Sequence, residues 1–180
     1  MEKKFILTDK FVINSFGIKL FQIKCTKSFK YAQKGDFGGY VEKEGNLDQE
    51  NDAWVSGNAR VFGNAWVFGD AWVFGDALVS GNARVFGNAR VFGNAWVSGD
   101  ADIENDNEHC GFDGFGSCNR HTHAYMTKEK KVEIICGCFR GSIEEFEKKV
   151  EETHSGTVYE KQYKSIINVT KIKFGLTDFT

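Results

Sequence analysis

The sequence has no proline and no apolar run long enough to cross a bilayer. These absences exclude proline-rich linkers, collagen-like repeats and a membrane-spanning helix. The N-terminal segment from Met1 to Lys4 is followed by only three apolar residues, which is too short for a secretory signal. We therefore expect a cytoplasmic protein that does not enter a membrane.

Cysteine is sparse, with five residues in a chain of 180. This odd number is too small for a disulfide framework, so reduced thiols or a metal site are expected instead. Positive charge exceeds negative charge in residues 1–45, the reverse holds in residues 46–106, and residues 107–180 are balanced. No segment has the dense basic stripe that duplex DNA requires, so sequence-specific DNA binding is not expected.

A six-residue repeat runs from Ala53 to Asp106, and it determines the predicted architecture. Within each unit an Ala and a Val stand two positions apart, so on an extended chain both side chains point to the same face. Each unit then has a Gly followed by Asn or Asp in its first eight copies, and these residue types suit a tight corner. The pattern predicts a four-residue strand and a two-residue corner per unit. The units are AWVSGN, ARVFGN, AWVFGD, AWVFGD, ALVSGN, ARVFGN, ARVFGN, AWVSGD and ADIEND.

Short strands with an inward column of Ala and Val predict a chain that coils rather than one that forms hairpins. Three units make a triangular turn of eighteen residues, so the repeat predicts a parallel β-helix of about three coils. The spacing of Val55 and Ala59, continued to Val97 and Ala101, resembles that of the hexapeptide-repeat proteins. This resemblance implies a left-handed β-helix and, because such proteins commonly form trimers, self-association as a dimer or trimer.

The outward positions of the repeat carry many aromatic and arginine side chains. A column of residues eighteen apart brings these side chains above one another, which favours ring stacking and cation–π contacts. One interpretation is that the rings pack only on one another and on neighbouring segments. The other is that at least one face is a binding surface. The candidate binding residues are Trp54, Trp66, Trp72, Trp96, Phe62, Phe68, Phe74, Phe86, Phe92, Arg60, Arg84 and Arg90.

The resemblance also implies enzymatic functions, but the repeat lacks the catalytic residues that those enzymes use. Hexapeptide-repeat acyltransferases use a histidine as general base, and the related γ-class carbonic anhydrases bind zinc through three histidines on the coils. The chain has no histidine before His109, which is the one candidate base near the end of the coils. A non-enzymatic protein without a cofactor is therefore expected, with acyl transfer as an alternative.

The flanking segments complete a mainly β fold. Residues 1–52 are predicted to form an N-terminal β cap, residues 107–118 a linker and residues 119–180 a small α+β domain. In that domain we expect a hairpin of 120–127 with 132–139, a helix opened by the capping box of Ser142 and Glu145, a second helix, and a last strand near 171–174.

A group of thiols and imidazoles in the predicted hairpin is a candidate zinc site. The expected register places His121 opposite Cys138 and His123 opposite Cys136, all on one face. Zinc prefers such ligands, so structural zinc is one interpretation. The alternative is a set of buried thiols beside a partly exposed histidine pair.

Over nearly its whole length the chain resembles uncharacterised hexapeptide-repeat proteins of bacteriophages and prophages. The motifs are KGDFGGYVEKEGNL, the repeat itself, and CGCFRGSIEEFEKKVEETH. The resemblance implies a phage protein in the cytoplasm of an infected bacterium. We expect it to bind and inhibit a host protein or complex, for example a CRISPR effector. The alternatives are an oligomer that binds a nucleotide or other small molecule, an acyltransferase, and a virion structural protein.

Overall fold

The computed structural model describes residues 2–177. The chain divides into two compact units, with the boundary between Asp106 and Asn107. The first unit is built from strands, and the second combines a four-stranded sheet with two helices. Within residues 2–177, neither helix is long and apolar enough to cross a membrane. The architecture is therefore mainly β, and the two α-helices belong to the second unit.

The first unit begins with an antiparallel hairpin that continues into the solenoid. The turn between its strands is fixed by Asn14, whose Oδ1 accepts hydrogen bonds from the backbone N–H groups of Phe16 and Ile18. Gly17 follows with a φ of 76°, a conformation that glycine adopts without strain. The second hairpin strand pairs with the third strand in antiparallel fashion. These strands are β1 (Phe5–Ile13), β2 (Lys19–Cys25) and β3 (Phe37–Val41).

The hexads form a parallel β-solenoid with three faces. The inward Ala and Val side chains of every coil are almost completely buried, as the pattern predicts. Each hexad contributes a two-residue strand, shorter than the four residues expected from the sequence. The strands are β4 (Trp54–Val55), β5 (Arg60–Val61), β6 (Trp66–Val67), β7 (Trp72–Val73), β8 (Leu78–Val79), β9 (Arg84–Val85), β10 (Arg90–Val91), β11 (Trp96–Val97) and β12 (Asp102–Ile103).

The solenoid has about four turns, and the prediction of three coils is corrected accordingly. The extra turn precedes the repeat, because β3 pairs in parallel with β5 and Leu47 forms a parallel bridge with Val67. Val41 and Leu47 are fully or almost fully buried, so each supplies the inward side chain of a coil. The Asn46 side chain donates to the carbonyls of Gly63 and Ala65 and so joins this coil to the next. A coil therefore forms where an apolar side chain points inward and the backbone is hydrogen-bonded to the next coil, and the full hexad sequence is not required.

The stacking of residues eighteen apart is confirmed by the strand register. On one face Trp72 pairs with both Trp54 and Arg90, and on another Arg84 pairs with both Trp66 and Asp102. The corners also stack, since the side-chain amides form ladders. These ladders join Asn58 to Asp76, Asn64 to Asn82, and Asn82 to Asp100.

A buried lysine holds the start of the repeat. Lys4 is 1% exposed, and its Nζ donates to the carbonyls of Glu50, Asn51 and Ala53 at 2.8–3.2 Å. Burial lowers the pKa of Lys4 to about 8 from its ordinary 10.5, and the charges of Asp48 and Asp52 offset only part of that effect.

This lowered pKa predicts a pH-dependent stability. Between pH 8 and 10.5 the unfolded chain binds more protons than the folded chain, so the free energy of unfolding contributed by Lys4 rises as the pH increases. Denaturant unfolding at a series of pH values should show this rise for the unaltered protein relative to Lys4→Met. A difference between the two proteins that stays constant from pH 8 to 10 would contradict the prediction.

The second unit is a four-stranded antiparallel sheet with two helices packed on it. One helix starts at the predicted capping box, in which Ser142 accepts from the Glu145 N–H and the Glu145 side chain accepts from the Ser142 N–H. The core joins the helices to one face of the sheet, through Ala124, Ile134, Phe146 and Ile166 among others. The elements are β13 (His109–Phe115), β14 (Arg120–Met126), β15 (Val132–Cys136), β16 (Phe139–Ser142), α1 (Ile143–His154) and α2 (Val158–Lys173).

Two segments of this unit differ from the sequence-based expectation. Part of the expected linker, residues 107–118, is β13, which pairs with β14 because hydrogen-bonded pairing outweighs the low strand propensity of its glycines. The expected strand at 171–174 is instead the end of α2 and the residue that follows it. The buried side chains Tyr163, Ile166, Ile167 and Thr170 of α2 recur at helical spacing, and this stripe favours a helix.

Candidate functional site

A solvent-exposed stack of rings lies on the face formed by β6, β9 and β12. The Trp66 and Phe68 rings stack at 4.0 Å, and Phe68 stacks on Phe86 at 4.9 Å with only 3° between the ring planes. The Arg84 guanidinium lies 4.9 Å from the Phe86 centroid and 5.4 Å from that of Phe68. We call these four residues the Trp66 ladder. Its side chains hold one another in place, so the surface is rigid before any partner binds.

The Trp66 ladder is open to solvent and nearly uncharged in its centre. Trp66 is 42% exposed, which is unusual for a tryptophan. Arg84 forms an ion pair with Asp102 at 3.4 Å, so its charge is compensated within the face. The ladder therefore presents aromatic surface to a partner without an unpaired guanidinium.

A second stack, the Trp72 ladder, lies on the face of β4, β7 and β10. It consists of Tyr31, Trp72, Phe74 and Phe92, with neighbouring centroids 4.2–5.2 Å apart. Tyr31 comes from the segment before the repeat and covers Trp72 at 5.0 Å with 19° between the planes. Phe92 is 52% exposed at the other end. This ladder is thus covered at one end and open at the other.

Two predicted binding residues are buried and are removed from the candidate surface. Trp54 is 2% exposed, because Phe5 and Phe29 pack against its indole. Phe62 is 7% exposed beside Phe16 of the hairpin turn. The repeat pattern directs both side chains outward, but segments before the repeat then cover them.

Three further predicted binding residues, Arg90, Arg60 and Trp96, belong to neither stack of rings. Arg90 is exposed and donates to both carboxylate oxygens of Asp106, and this hydrogen-bonded contact raises the pKa of Arg90. Arg60 and Trp96 line a pocket beside the hairpin turn. The predicted binding residues therefore do not form one surface.

The expected zinc ligands do not come together. In the structure Thr122 pairs with Cys136, and His123 pairs with Ile135, a shift of one residue from the expected register. A shift by one residue turns every side chain of a strand to the opposite face. Cys136 is therefore in the core, where it contacts Thr122 Oγ1 at 3.2 Å and the Tyr163 hydroxyl at 3.8 Å, whereas Cys138 is exposed. The structure contradicts a zinc site built from Cys136, Cys138, His121 and His123.

Three histidines instead form a cluster that the sequence did not predict. His121 Nε2 lies 3.3 Å from His123 Nδ1, and the His109 ring is 5.3 Å from that of His123. His121 Nδ1 also contacts Asp113 Oδ1 at 2.8 Å. Burial, together with the two neighbouring histidines, lowers the pKa of His123 well below its ordinary value. His123 is therefore neutral at physiological pH.

The cluster is largely buried, and it does not include a group of metal ligands among the described residues. Within residues 2–177, no group of three histidine, cysteine or acidic side chains is arranged to hold a metal ion. His109, the candidate base for acyl transfer, is 8% exposed. Strand alternation placed His121 and His123 on one face, as expected from the sequence, but His109 was missed because residues 107–118 were expected to be a linker rather than to include β13.

Comparison with known proteins finds a likeness within the repeat. The YdcK beta solenoid repeat family matches residues 53–69 and 83–99, and both stretches lie in the solenoid described above. No curated protein matches the chain. The matched residues are a minor part of the sequence, so the likeness concerns the solenoid alone. In its repeat, this protein is similar to the YdcK beta solenoid proteins.

Proposed function

We propose that this protein is a non-catalytic binding module that docks on a partner protein through the Trp66 ladder. The observation that carries the proposal is a tryptophan 42% exposed at the end of a rigid aromatic stack. Tryptophan and arginine are the residue types that dominate interface energies, and a preorganised surface loses little entropy on binding.

Charge indicates the kind of partner surface that fits. Residues 46–106 contain nine acidic and three basic side chains, so the solenoid is negatively charged. Around the ladder, Asp102 and Glu104 follow Arg84 and Phe86 in their columns, eighteen residues further along. A partner with lysine or arginine side chains around an apolar centre is complementary to this face, since a cation can also stack on the Trp66 ring.

The proposal also includes the left-handed winding, the phage origin and the host partner that the sequence predicts. The six-residue period supports a hexapeptide repeat with left-handed winding. The resemblance to phage proteins supports a partner in an infected bacterium, such as a component of host defence. Inhibition of that partner by occupation of its surface requires only binding, which agrees with a site built from rings rather than from catalytic groups.

Affinity capture from bacterial lysate tests the docking surface. We expect the unaltered protein to retain a specific protein, and Trp66→Ala to bind the purified partner at least about tenfold more weakly. Ile13→Ala is the matched control, because it also removes an exposed apolar side chain, 65% exposed, but from the hairpin. Its affinity should be unchanged, and the affinity of the unaltered protein should fall with added salt.

Two outcomes would contradict the proposal. One is equal affinity of the unaltered protein and Trp66→Ala for the captured partner. The other is a dimer or trimer in solution that Trp66→Ala converts to a monomer, as measured by light scattering. In that case a second copy of this chain occupies the ladder.

A further inference from the structure

The first unit contains a pocket of about 270 Å³ beside the hairpin turn. The turn supplies one side, and the outward residues of β5, β8 and β11 supply the other. Three apolar or aromatic residues and four polar residues line the pocket. The residues used below are Asn14, Phe16, Arg60, Leu78 and Trp96.

The side-chain amide of Asn14 has a buried donor, and the hydrogen bonds of the turn show which of its two terminal atoms is that donor. Two backbone N–H groups donate to its Oδ1, at 3.0 and 2.9 Å, so the other side-chain atom must be the Nδ2 donor. Asn14 is 8% exposed, and Nδ2 is buried without a hydrogen-bond partner. A donor buried in this way loses its hydrogen bond to water and gains none in return, which destabilises the protein. An acceptor from outside the chain would remove this cost.

Trp96 has a second donor of this kind, and the repeat provides an internal comparison. On the neighbouring face, Trp72 Nε1 donates to Ser56 Oγ at 2.9 Å, sixteen residues earlier. Ser80 stands at the same offset from Trp96, but the equivalent bond is absent, and Trp96 Nε1 is buried without a partner. The repeat therefore provides a hydrogen-bond acceptor for the Trp72 indole and none for the Trp96 indole.

Arg60 provides positive charge that no acidic residue of the described range 2–177 neutralises in an ion pair. The two other arginines of the solenoid form ion pairs, Arg84 with Asp102 and Arg90 with Asp106. Leu78 occupies the position eighteen residues after Arg60, and Arg60 forms no ion pair within residues 2–177. Its Nε is also buried without a hydrogen-bond partner. The pocket residues thus combine one unpaired cation with two neutral donors.

We propose that this pocket binds a small anion that carries a planar ring. Three unsatisfied donors, one of them cationic, match the oxygens of a phosphate or carboxylate. Phe16, Leu78 and Trp96 provide the apolar and aromatic surface that a flat ring contacts. The size suits a small molecule. A mononucleotide and an aromatic carboxylate share this chemistry, and the site lies within one chain rather than between protomers.

Titration followed by NMR of the indole N–H groups tests the site. Adenosine monophosphate and indole-3-acetate are the ring-bearing probes, and inorganic phosphate is the probe without a ring. The Trp96 signal, assigned by comparison with Trp96→Phe, is expected to shift in a saturable manner with at least one ring-bearing anion. The responding probe identifies the source as nucleotide or carboxylate.

Matched variants separate this site from general electrostatic attraction. Arg60→Met removes the charge, and Asn14→Asp keeps both turn hydrogen bonds but replaces the amide donor with a negative oxygen. Each is expected to weaken binding at least about tenfold. Lys19→Met also removes one positive charge from the hairpin, but Lys19 does not line the pocket, so affinity should stay within about twofold. An unshifted Trp54 signal reports that each variant retains the fold.

The proposal is overturned if neither ring-bearing probe shifts the Trp96 signal. It is also overturned if Arg60→Met binds as tightly as the unaltered protein, or if inorganic phosphate binds as tightly as the ring-bearing anions. These results are independent of docking at the Trp66 ladder, because they are measured without a partner protein.

Discussion

Replacing Trp54 with alanine is expected to lower the free energy of unfolding by about 3–5 kcal/mol. Its indole is 2% exposed and contacts the rings of Phe5 and Phe29 at centroid distances of 6.5 and 5.3 Å. Removing it leaves a cavity between the first hexad and the segments that cover it. The loss should also loosen those segments, because their rings lose their common neighbour.

Trp66→Ala is the matched control, since Trp66 occupies the same position of its hexad. Trp66 is 42% exposed and stacks on Phe68, so its removal should cost only about 1 kcal/mol. Denaturant unfolding of the two variants measures the difference. Equal losses would show that the segments before the repeat do not stabilise the solenoid through Trp54.

Gly81→Ala is expected to cost about 2–4 kcal/mol, from two causes. The residue has a φ of 67°, which strains any side chain. A Cβ there would also lie 2.7 Å from the Gly99 nitrogen of the next coil, too close without a backbone shift. Such a shift would disturb the 2.8 Å hydrogen bond from the Asn82 N–H to the Gly99 carbonyl.

Gly93→Ala separates the two causes. Gly93 has nearly the same φ, 64°, but a Cβ added there meets nothing within 4 Å. Only the conformational strain remains, so a loss of about 1–2 kcal/mol is expected. Thermal and denaturant unfolding of both variants checks the difference. If Gly93→Ala proves as destabilising as Gly81→Ala, the close approach of successive coils contributes nothing.

The solenoid was predictable because the residues that specify it lie close together in the sequence and recur in every unit. Ala and Val at fixed spacing define the inward face, and a glycine at each corner permits the turn, so the register of Trp54 on Trp72 follows from counting eighteen residues. The additional coil was missed because Val41 and Leu47 fill inward positions without the hexad around them. A search for the sequence pattern finds only complete hexads, whereas a coil of the solenoid can pack with only its inward side chain in place.

The histidines and cysteines show a different limit. The sequence identified β14 and β15 but not their exact pairing, and a slip of one residue put Cys136 on the face opposite to His123. Both faces of this sheet contain buried side chains, such as Ala124 on one and Tyr125 on the other. Burial therefore gave no clear pattern of alternation from which to choose the register.

The repeat, its inward column and the order of its outward residues follow from the amino-acid sequence, because they depend on neighbours a fixed number of residues apart. The sequence did not distinguish four tryptophans that occupy equivalent positions. In the folded protein Trp54 is buried, Trp66 is exposed and Trp96 lines a pocket. The reason is physical: the hairpin and the segment after it cover parts of two faces, and such coverage depends on contacts between distant residues that no local pattern encodes.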